Sequence, residues 1–268
     1  MLSAKHFSML LFAGLLLSAC RSAKVSSPGS VHVVLGNPSN AEASTAQPEN
    51  YLIERPQYAL SYNRDRGIPN WVSWQLNASW LGALPRLPFS TDDSLPDGWY
   101  RAKADDYTGS GYDRGHMTPA ADRNRTPEDS QAVFLMSNIF PQAPDNNQGP
   151  WEKLESYCRK LVLQGKELEI IAGSYGTQTT LADGKIVAPT HTWKVVVVLD
   201  RLGAGVDGVS NATRVIAVDL PNLNGIKRKR WQKFRVSVDQ IEAATGYDLL
   251  SNVPEAIQKK LESKVDSQ

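Results

Sequence analysis

Four segments rich in β-branched and other apolar residues limit what this chain can fold into. They are WVSWQLN (71–77), LEIIAGSYG (168–176), HTWKVVVVLD (191–200) and TRVIAVDLPN (213–222). The first alternates large apolar and polar residues and the others are apolar runs, so each predicts a strand. Because strands cluster around few helices without strict alternation, the pattern favours an α+β fold over a doubly wound α/β fold.

One predicted helix begins at Gly149-Pro150, with Pro at its first position, and runs through WEKLESYCRKLVLQG. Glu155 and Arg159 lie one turn apart on it, at the border of its apolar stripe. Such a pair stabilises a surface helix by only about 0.2–0.5 kcal/mol. On this helix alone, a modest surface pair is the simpler interpretation.

A second predicted helix is SVDQIEAATG, residues 237–246. Ser237 or Asp239 is its expected cap, and Glu242 lies near the third helical position. Gly246 is expected at the C-terminal end, where glycine commonly ends a helix.

Residues 1–19 have the pattern of an export signal. A short basic start precedes the apolar run FSMLLFAGLLLSA, which is shorter than the ~20 residues of a comfortable membrane span. LSAC resembles a bacterial lipobox, which implies cleavage before Cys20 and a lipid on its sulfur; ordinary cleavage near that point is the alternative. We expect an exported protein, anchored through Cys20 in the periplasm or at the cell surface, or secreted if Cys20 carries no lipid.

The rest of the chain divides into three predicted parts. The small, polar residues RSAKVSSPGS indicate a tether over 20–30. VHVVLGNPSNA begins the ordered part, and we expect one domain over 31–258, since no linker or repeat follows residue 50. Residues 259–268 are a polar C-terminal tail.

Charge and cysteine content restrict the function. Removal of residues 1–19 lowers Lys plus Arg from 29 to 28, equal to the 28 Asp plus Glu. An anionic substrate must therefore be bound by local Arg and Lys rather than attracted by a global positive field. If Cys20 carries a lipid, Cys158 is alone and no internal disulfide forms. Cysteine and histidine are also too few for a convincing zinc site.

The stretch YDRGHM, residues 112–117, contains a candidate catalytic histidine. His116 follows Asp113 and Arg114 in a Gly-rich segment. A neutral imidazole is a suitable base near pH 7, and an arginine binds phosphate through paired hydrogen bonds. A lone histidine is nevertheless more often structural, so both interpretations stay open on this stretch alone.

Asn146 and Asn147 lie just before the first predicted helix, in the amide-rich segment SNIFPQAPDNNQGPWEKLE. They either cap the helix or offer a neutral oxygen to a hard cation such as Mg²⁺, with a nearby carboxylate holding the ion's waters.

The DRGHM box and the NQGPWEKLE segment that follows it resemble the DNA/RNA non-specific endonucleases, a ββα-metal nuclease family. YALSYNRDRGIPNWVSWQLN, SNIFPQ, HTWKVVV and DQIEAATGYDLLSNVP also look like parts of that domain. The resemblance implies an α+β fold with a central antiparallel sheet flanked by helices and the ββα-metal motif on one side. It also implies in-line hydrolysis of DNA and RNA, giving 5′-phosphate ends.

The resemblance also implies roles for single residues. His116 matches the general base, and Asn147 matches the one direct protein ligand of a Mg²⁺ ion, for which Mn²⁺ is an alternative. Glu155 matches the carboxylate that hydrogen-bonds the ion's waters. Arg159 resembles the arginine that steadies the pentacovalent phosphate, and Arg114 matches the arginine on the scissile phosphate or its neighbour.

Three further residues match the family pattern less directly. Asp113 is expected to orient the water shell of the metal. Arg86 lies near a further family arginine, in SWLGALPRLPF. Asn138 is read as a structural amide of the SNIFPQ turn.

Other features have ordinary explanations. KRKR (227–230) is either a phosphate-binding loop or a solvated loop before Trp231. Most of the seven Trp fall in strand or helix patterns and are expected in the core rather than stacked on bases. His191 is expected to be structural.

Three other functions remain as alternatives. The first is a nucleic-acid-binding surface lipoprotein without catalysis. The second is a metal-dependent phosphatase or phosphodiesterase for small phosphates, although such sites usually hold several carboxylates or histidines around two metals. The third is a nuclease kept inactive by a protein inhibitor, which no feature of the sequence tests; the oligomeric state is equally open.

Overall fold

The computed structural model of the chain describes residues 30–268. The predicted signal segment, Cys20 and the tether up to residue 29 lie outside this range. Among the described residues, none of the helices combines the length and hydropathy needed to span a bilayer.

A seven-stranded sheet lies at the centre of the described chain. The strands are β1 (Tyr51–Glu54), β2 (Ala59–Asn63), β3 (Ile68–Leu76), β4 (Asp113–His116), β5 (Ile139–Gln142), β6 (Glu167–Tyr175), β7 (Thr179–Leu181), β8 (Ile186–Ala188), β9 (His191–Leu199), β10 (Arg214–Pro221) and β11 (Arg235–Val236). The sheet order is β1-β2-β3-β6-β9-β10-β11, and every neighbouring pair is antiparallel. The pairs β4-β5 and β7-β8 form separate hairpins. The four predicted strand segments are confirmed as β3, β6, β9 and β10.

The valine run of β9 explains why the sheet is buried on both faces. Successive side chains of a strand point to opposite faces. Val195 and Val197 pack in the apolar cluster on one face, whereas Val196 and Val198 pack in the cluster on the other. A sheet with two apolar faces requires cover on both sides.

Helices and the β4-β5 hairpin provide that cover. The α-helices are α1 (Pro127–Val133), α2 (Pro144–Asn146), α3 (Glu152–Leu163), α4 (Val238–Thr245) and α5 (Glu255–Glu262). Residues of α1, α3, β4-β5 and the segment after β4 pack on one face of the sheet, and residues of α4 and α5 pack on the other. The α+β fold is confirmed, and β4, β5 and α3 form its ββα unit.

The first predicted helix begins later than the sequence indicates. Asn147–Trp151 forms a π-helical turn in which Gly149 has non-helical dihedrals (φ −121°, ψ −117°), and α3 begins only at Glu152. A Cβ on residue 149 would lie 2.7 Å from Lys227 Cα, so glycine is required by the close approach of that loop. Pro150 therefore lies inside the turn and not at the first position of α3.

The second predicted helix is present as α4, with a different capping partner. Ser237 is the cap, and its capping box is completed by Gln240 at the third helical position. The side chain of Glu242 instead accepts a hydrogen bond from Leu249 N at 2.8 Å. Gly246 ends the helix with φ 75°, as predicted.

Both ends of the described chain are fixed to the sheet. Residues Val31–Val33 form a 3₁₀ turn. Its His32 bonds to Pro56 O through Nε2 (2.8 Å) and accepts from Gln75 N through Nδ1 (3.1 Å). The predicted boundary at residue 258 falls inside α5, and Asp266 forms ion pairs with Arg214 (2.8 Å) and Arg235 (3.2 Å). Residues 259–268 are therefore packed on the domain and do not project as a tail.

Candidate active site

The β4-β5 hairpin positions the DRGH segment at the mouth of a cavity. Asp113 to His116 pair with Gln142 to Ile139 in antiparallel register. A Cβ on Gly115 would lie 2.6 Å from Gln142 Cβ, so only glycine lets the two strands approach this closely. The hairpin thereby fixes the direction of the side chains on either side of Gly115.

His116 lies at the end of β4 against two aromatic rings. The ring centroids of Phe89 and Phe134 are 5.3 Å and 5.0 Å from that of the imidazole. Burial, and after it the charge of Arg86, lowers the pKa of His116 to about 3. His116 Nε2 is shielded from solvent and has no hydrogen-bond partner among the described residues. The imidazole is consequently neutral at pH 7, and Nδ1 is the nitrogen that can reach water.

Asn147 lies on the π-helical turn with its amide oriented by Asp113. Asn147 Nδ2 donates to Asp113 Oδ2 at 2.8 Å, and Gln148 Nε2 donates to the same oxygen at 2.8 Å. Asn147 Oδ1 accepts no hydrogen bond from the described residues. The role of Asp113 in orienting a metal's water shell stays a prediction; in the structure its carboxylate orients the Asn147 amide, so that Asn147 Oδ1 stays available.

Glu155 lies in the first turn of α3 and faces inwards. Its side chain is 13% exposed, and its Oε1 is 3.5 Å from the Nζ of Lys194, which is 1% exposed. The Lys194 ammonium lies 4.0 Å from the ring centre of Trp151, and this cation–π contact helps to fix its position. Burial raises the pKa of Glu155 to about 7, against the opposing effect of Lys194.

Arg159 also lies on the inner side of α3. Its Nη1 donates to Asp122 Oδ1 at 3.0 Å, and its Nη2 donates to Ser156 Oγ at 3.1 Å. Asp122 is 1% exposed and is itself fixed, since its Oδ2 accepts from Trp74 Nε1 at 3.1 Å. Glu155 and Arg159 therefore do not form the modest surface pair that the helix alone favours, because each has a buried partner of its own.

Two further arginines border the same space. Arg114 Nη1 donates to Ala104 O at 3.0 Å, and its guanidinium lies 5.4 Å from the ring centre of Phe89. Arg86 lies over Phe134, at 5.2 Å from the ring centre. Arg114 is held by two contacts to the protein and Arg86 by one, and both guanidiniums keep N–H donors for an anion.

These side chains converge on one cavity of about 480 Å³. Its walls include six of the residues predicted from the sequence: Arg86, Arg114, His116, Asn147, Glu155 and Arg159. Asp113 lines an adjoining space of about 290 Å³ that shares Arg86, Arg114 and Asn147 with it. A neutral imidazole, three guanidiniums, the amide oxygen of Asn147 and the carboxylate of Glu155 suit the binding of a phosphate and a hard cation.

Other polar residues named from the sequence lie outside the cavity. Asn146 is fully buried, and its Nδ2 donates to Thr192 Oγ1 at 3.0 Å. Asn138 bonds to Thr118 N, Thr118 O and Val133 O, so its structural interpretation is confirmed. His191 stacks on Tyr175, with ring centroids 4.9 Å apart, as a structural residue would.

Sequence reasoning missed Asp122, Lys194 and Gln148, which hold the cavity residues in place. Lys194 carried a usable signal, because a lysine in the middle of an apolar strand must have a buried partner. Asp122 lies in the segment PAADRNR after the DRGHM box, where nothing in the spacing indicates its contact with α3.

The KRKR loop lies beside the cavity. Lys227 Nζ donates to Gln148 Oε1 at 2.9 Å, and Lys227 O accepts from Lys153 Nζ at 2.9 Å. Gln148 in turn donates to Asp113, so the loop connects to the amide of Asn147 through two side chains. Five of the seven Trp are buried, as predicted for core residues: Trp71, Trp74, Trp151, Trp193 and Trp231.

Comparison with known proteins identifies similar sequences. The sequence profile described as DNA/RNA non-specific endonuclease matches residues 35–256. A nuclease from Nostoc sp. is 53% identical over 239 residues, which cover 89% of this chain and 87% of that protein. The mitochondrial nuclease EXOG of Danio rerio is 32% identical over 232 residues, covering 81% of this chain and 64% of that protein.

A solved structure has the same fold. One chain in the crystal structure of the EndoG/EndoGI complex superposes with a TM-score of 0.70 at 22% identity. The match covers 85% of this chain and 95% of that chain. The common architecture therefore extends well beyond the ββα unit.

Proposed function

This chain belongs to the DNA/RNA non-specific endonuclease family and is a nuclease, and we propose that it hydrolyses phosphodiester bonds with His116 as the general base. Asn147 and Glu155 hold one Mg²⁺, for which Mn²⁺ is an alternative. Arg114 and Arg159 bind the substrate phosphate. The observation that carries the proposal is the convergence of these side chains on one cavity.

The residues present fit a hard divalent cation. Asn147 Oδ1 is free because its Nδ2 is bound to Asp113. The Glu155 carboxylate is nearly buried, and its nearest cation, Lys194, is 3.5 Å away. Magnesium prefers oxygen ligands and keeps several waters, so one amide and one nearby carboxylate suffice. When bound, the ion supplies positive charge that stabilises the charge developing on the phosphate during hydrolysis.

His116 accepts a proton from the attacking water. Its low pKa keeps the imidazole in the neutral, accepting form. A bound phosphodiester adds negative charge beside the ring, which raises its proton affinity when substrate is present. The water oxygen bonds to phosphorus, the bond from phosphorus to the 3′ oxygen breaks, and the 3′ oxygen takes a proton from solvent. The products carry 5′-phosphate and 3′-hydroxyl ends.

The arginines determine where the phosphate binds. Arg159 is fixed by Asp122 and Ser156, and Arg114 by the Ala104 carbonyl. Arg86 approaches from the other wall, over Phe134. Guanidiniums held in this way stabilise the additional charge of the transition state. Because phosphate contacts carry no base information, we propose that both DNA and RNA are cleaved.

The decisive experiment compares His116→Ala with His191→Ala, a histidine change outside the cavity. Circular double-stranded DNA and RNA are incubated with Mg²⁺ or EDTA, and the 5′ ends are analysed by phosphatase-dependent labelling. Loss of general-base catalysis lowers the rate about 10²–10⁴-fold. We expect that loss in His116→Ala alone, with its Tm and DNA affinity close to wild type. Wild-type rates in His116→Ala, or cleavage in EDTA, would contradict the proposal.

We further propose export and lipid anchoring, with the folded domain held by a tether over 20–30. The support is the N-terminal pattern, with its apolar run and LSAC ending at Cys20. Cys20→Ser removes the acceptor sulfur, so nuclease activity should move from the membrane fraction to the soluble fraction. Cys158→Ser, a buried cysteine in α3, is the control and should stay with the membranes. Equal partition of wild type and Cys20→Ser would disprove lipidation.

A further inference from the structure

Three carboxylates meet between the two C-terminal helices, on the face of the sheet opposite the candidate active site. Asp239 and Glu242 lie on α4, and Glu262 is the last residue of α5. One oxygen from each lies within 4.8 Å of the other two. Val238 and Ile241 of α4 and Leu261 of α5 pack in the apolar cluster of that face.

No positively charged side chain among the described residues pairs with this concentration of negative charge. None of the three carboxylates takes part in an ion pair within residues 30–268. The N-terminus of α4 stabilises Asp239 in its first turn, but Glu262 lies at the C-terminal end of α5, where the helix dipole is unfavourable for an anion.

Glu262 is the second, independent indication of a ligand. It is 5% exposed, and its Oε1 is shielded from solvent and has no hydrogen-bond partner within residues 30–268. A buried carboxylate oxygen without a donor is costly, and a bound cation removes that cost.

We propose that Asp239, Glu242 and Glu262 form a Ca²⁺ site that joins α4 to α5. Calcium takes oxygen ligands at about 2.3–2.6 Å, so oxygens up to about 5 Å apart can share one ion. Magnesium, at about 2.0–2.1 Å, spans only about 4 Å and tolerates less irregular geometry. Asp239 is exposed, so water can complete the coordination.

The ion acts on stability and not on hydrolysis. Glu242 Oε1 already accepts from Leu249 N, and Leu249 is buried in the same apolar cluster. Calcium therefore links the end of α5, α4 and the segment after α4, all of which cover one face of the sheet. Because the folded chain binds the ion and the unfolded chain does not, Ca²⁺ raises the unfolding temperature.

The test uses the full chain carrying Asn147→Ala, which removes the cation ligand proposed for the other face. Its Tm is measured in EDTA and in 1 mM Ca²⁺ or Mg²⁺, with calorimetric titration of Ca²⁺. We expect Ca²⁺ to raise the Tm by about 5 °C, an increase corresponding to a ligand well above its Kd, and Mg²⁺ to raise it less. Glu255→Gln, on the exposed side of α5, is the matched control and should keep the full increase.

Glu242→Gln and Glu262→Gln are then added together to the Asn147→Ala chain. They should abolish the Ca²⁺-dependent increase in Tm. They should also raise the Tm in EDTA, because the repulsion between the two carboxylates is removed. Asp239→Asn changes an exposed residue and cannot prevent folding; it should weaken Ca²⁺ binding at least tenfold. The proposal is overturned if Ca²⁺ leaves the Tm of the Asn147→Ala protein unchanged. It is equally overturned if the increase persists in the doubly substituted chain, or if only pH, and not Ca²⁺, shifts the Tm.

Discussion

At the scale of single residues, the cavity depends on partner side chains that hold the residues facing it. Asp122 binds Arg159, Lys194 pairs with Glu155, and Asp113 orients the amide of Asn147. Each partner restricts a flexible side chain before any substrate arrives, and such preorganisation is what electrostatic catalysis needs.

Asp122→Asn tests whether catalysis requires the carboxylate that positions Arg159. The substitution keeps the size of the side chain but removes the charge that fixes Arg159. We expect kcat on DNA to fall about tenfold, within the range seen for supporting residues of catalytic sites, and KM to change little, because Arg114 still binds the phosphate. Steady-state kinetics at saturating Mg²⁺ measure both constants.

Asp129→Asn is the matched control for that experiment. Asp129 is also a buried carboxylate, but it accepts from Gln57 Nε2 at 3.0 Å on α1, outside the cavity. The Asp129→Asn substitution should lower the Tm of the protein without lowering kcat on DNA. If Asp122→Asn behaves in the same way as Asp129→Asn, Asp122 has only a structural role.

At the scale of elements, the strands were predictable because their signal is local. The valine run of β9 and the apolar runs of β6 and β10 need no knowledge of distant residues. The prediction of the helix after Asn147 was less accurate. The loop at Lys227 packs on Gly149, and a π-helical turn takes the place of the predicted first turn of that helix. That contact joins distant parts of the chain, and no local pattern encodes it.

The same difference between local patterns and long-range contacts separates the site residues that the sequence identified from those that it did not. His116, Asn147 and Glu155 belong to two short motifs and could be recognised together. Asp122 contacts Arg159 across a separation of 37 residues, through packing between α3 and the segment after β4. Its importance follows only from the fold.

At the scale of the whole molecule, two buried neutral histidines make stability depend on pH. Burial lowers the pKa of His32 to about 4 and that of His116 to about 3. The unfolded chain binds protons near the ordinary pKa of about 6.5, whereas the folded chain does not. Stability therefore falls as pH decreases from about 6.5 towards the folded pKa of each histidine. Burial raises the pKa of Glu169 to about 8. This glutamate has the opposite effect, because its burial lowers the stability of the folded chain as pH rises towards that value.

His32→Gln isolates one of these contributions, because the glutamates are common to both proteins. The difference in the free energy of unfolding between wild type and His32→Gln should change by about 3 kcal/mol between pH 7 and pH 4, with wild type losing more. Urea unfolding across that range measures this difference. A constant difference at every pH would show that His32 accepts its proton as readily folded as unfolded.

The order of the sheet also has a consequence for how the protein behaves when concentrated. Its two outermost strands are β1, of four residues, and β11, of two. Glu42 bridges to Tyr51 on the free side of β1, and Leu52 N donates to Glu42 O at 3.0 Å. Strand edges aggregate when they expose long rows of unpaired backbone groups. Here one edge is partly covered and the other is very short, so the sheet offers little template for intermolecular β-pairing despite its long, valine-rich centre.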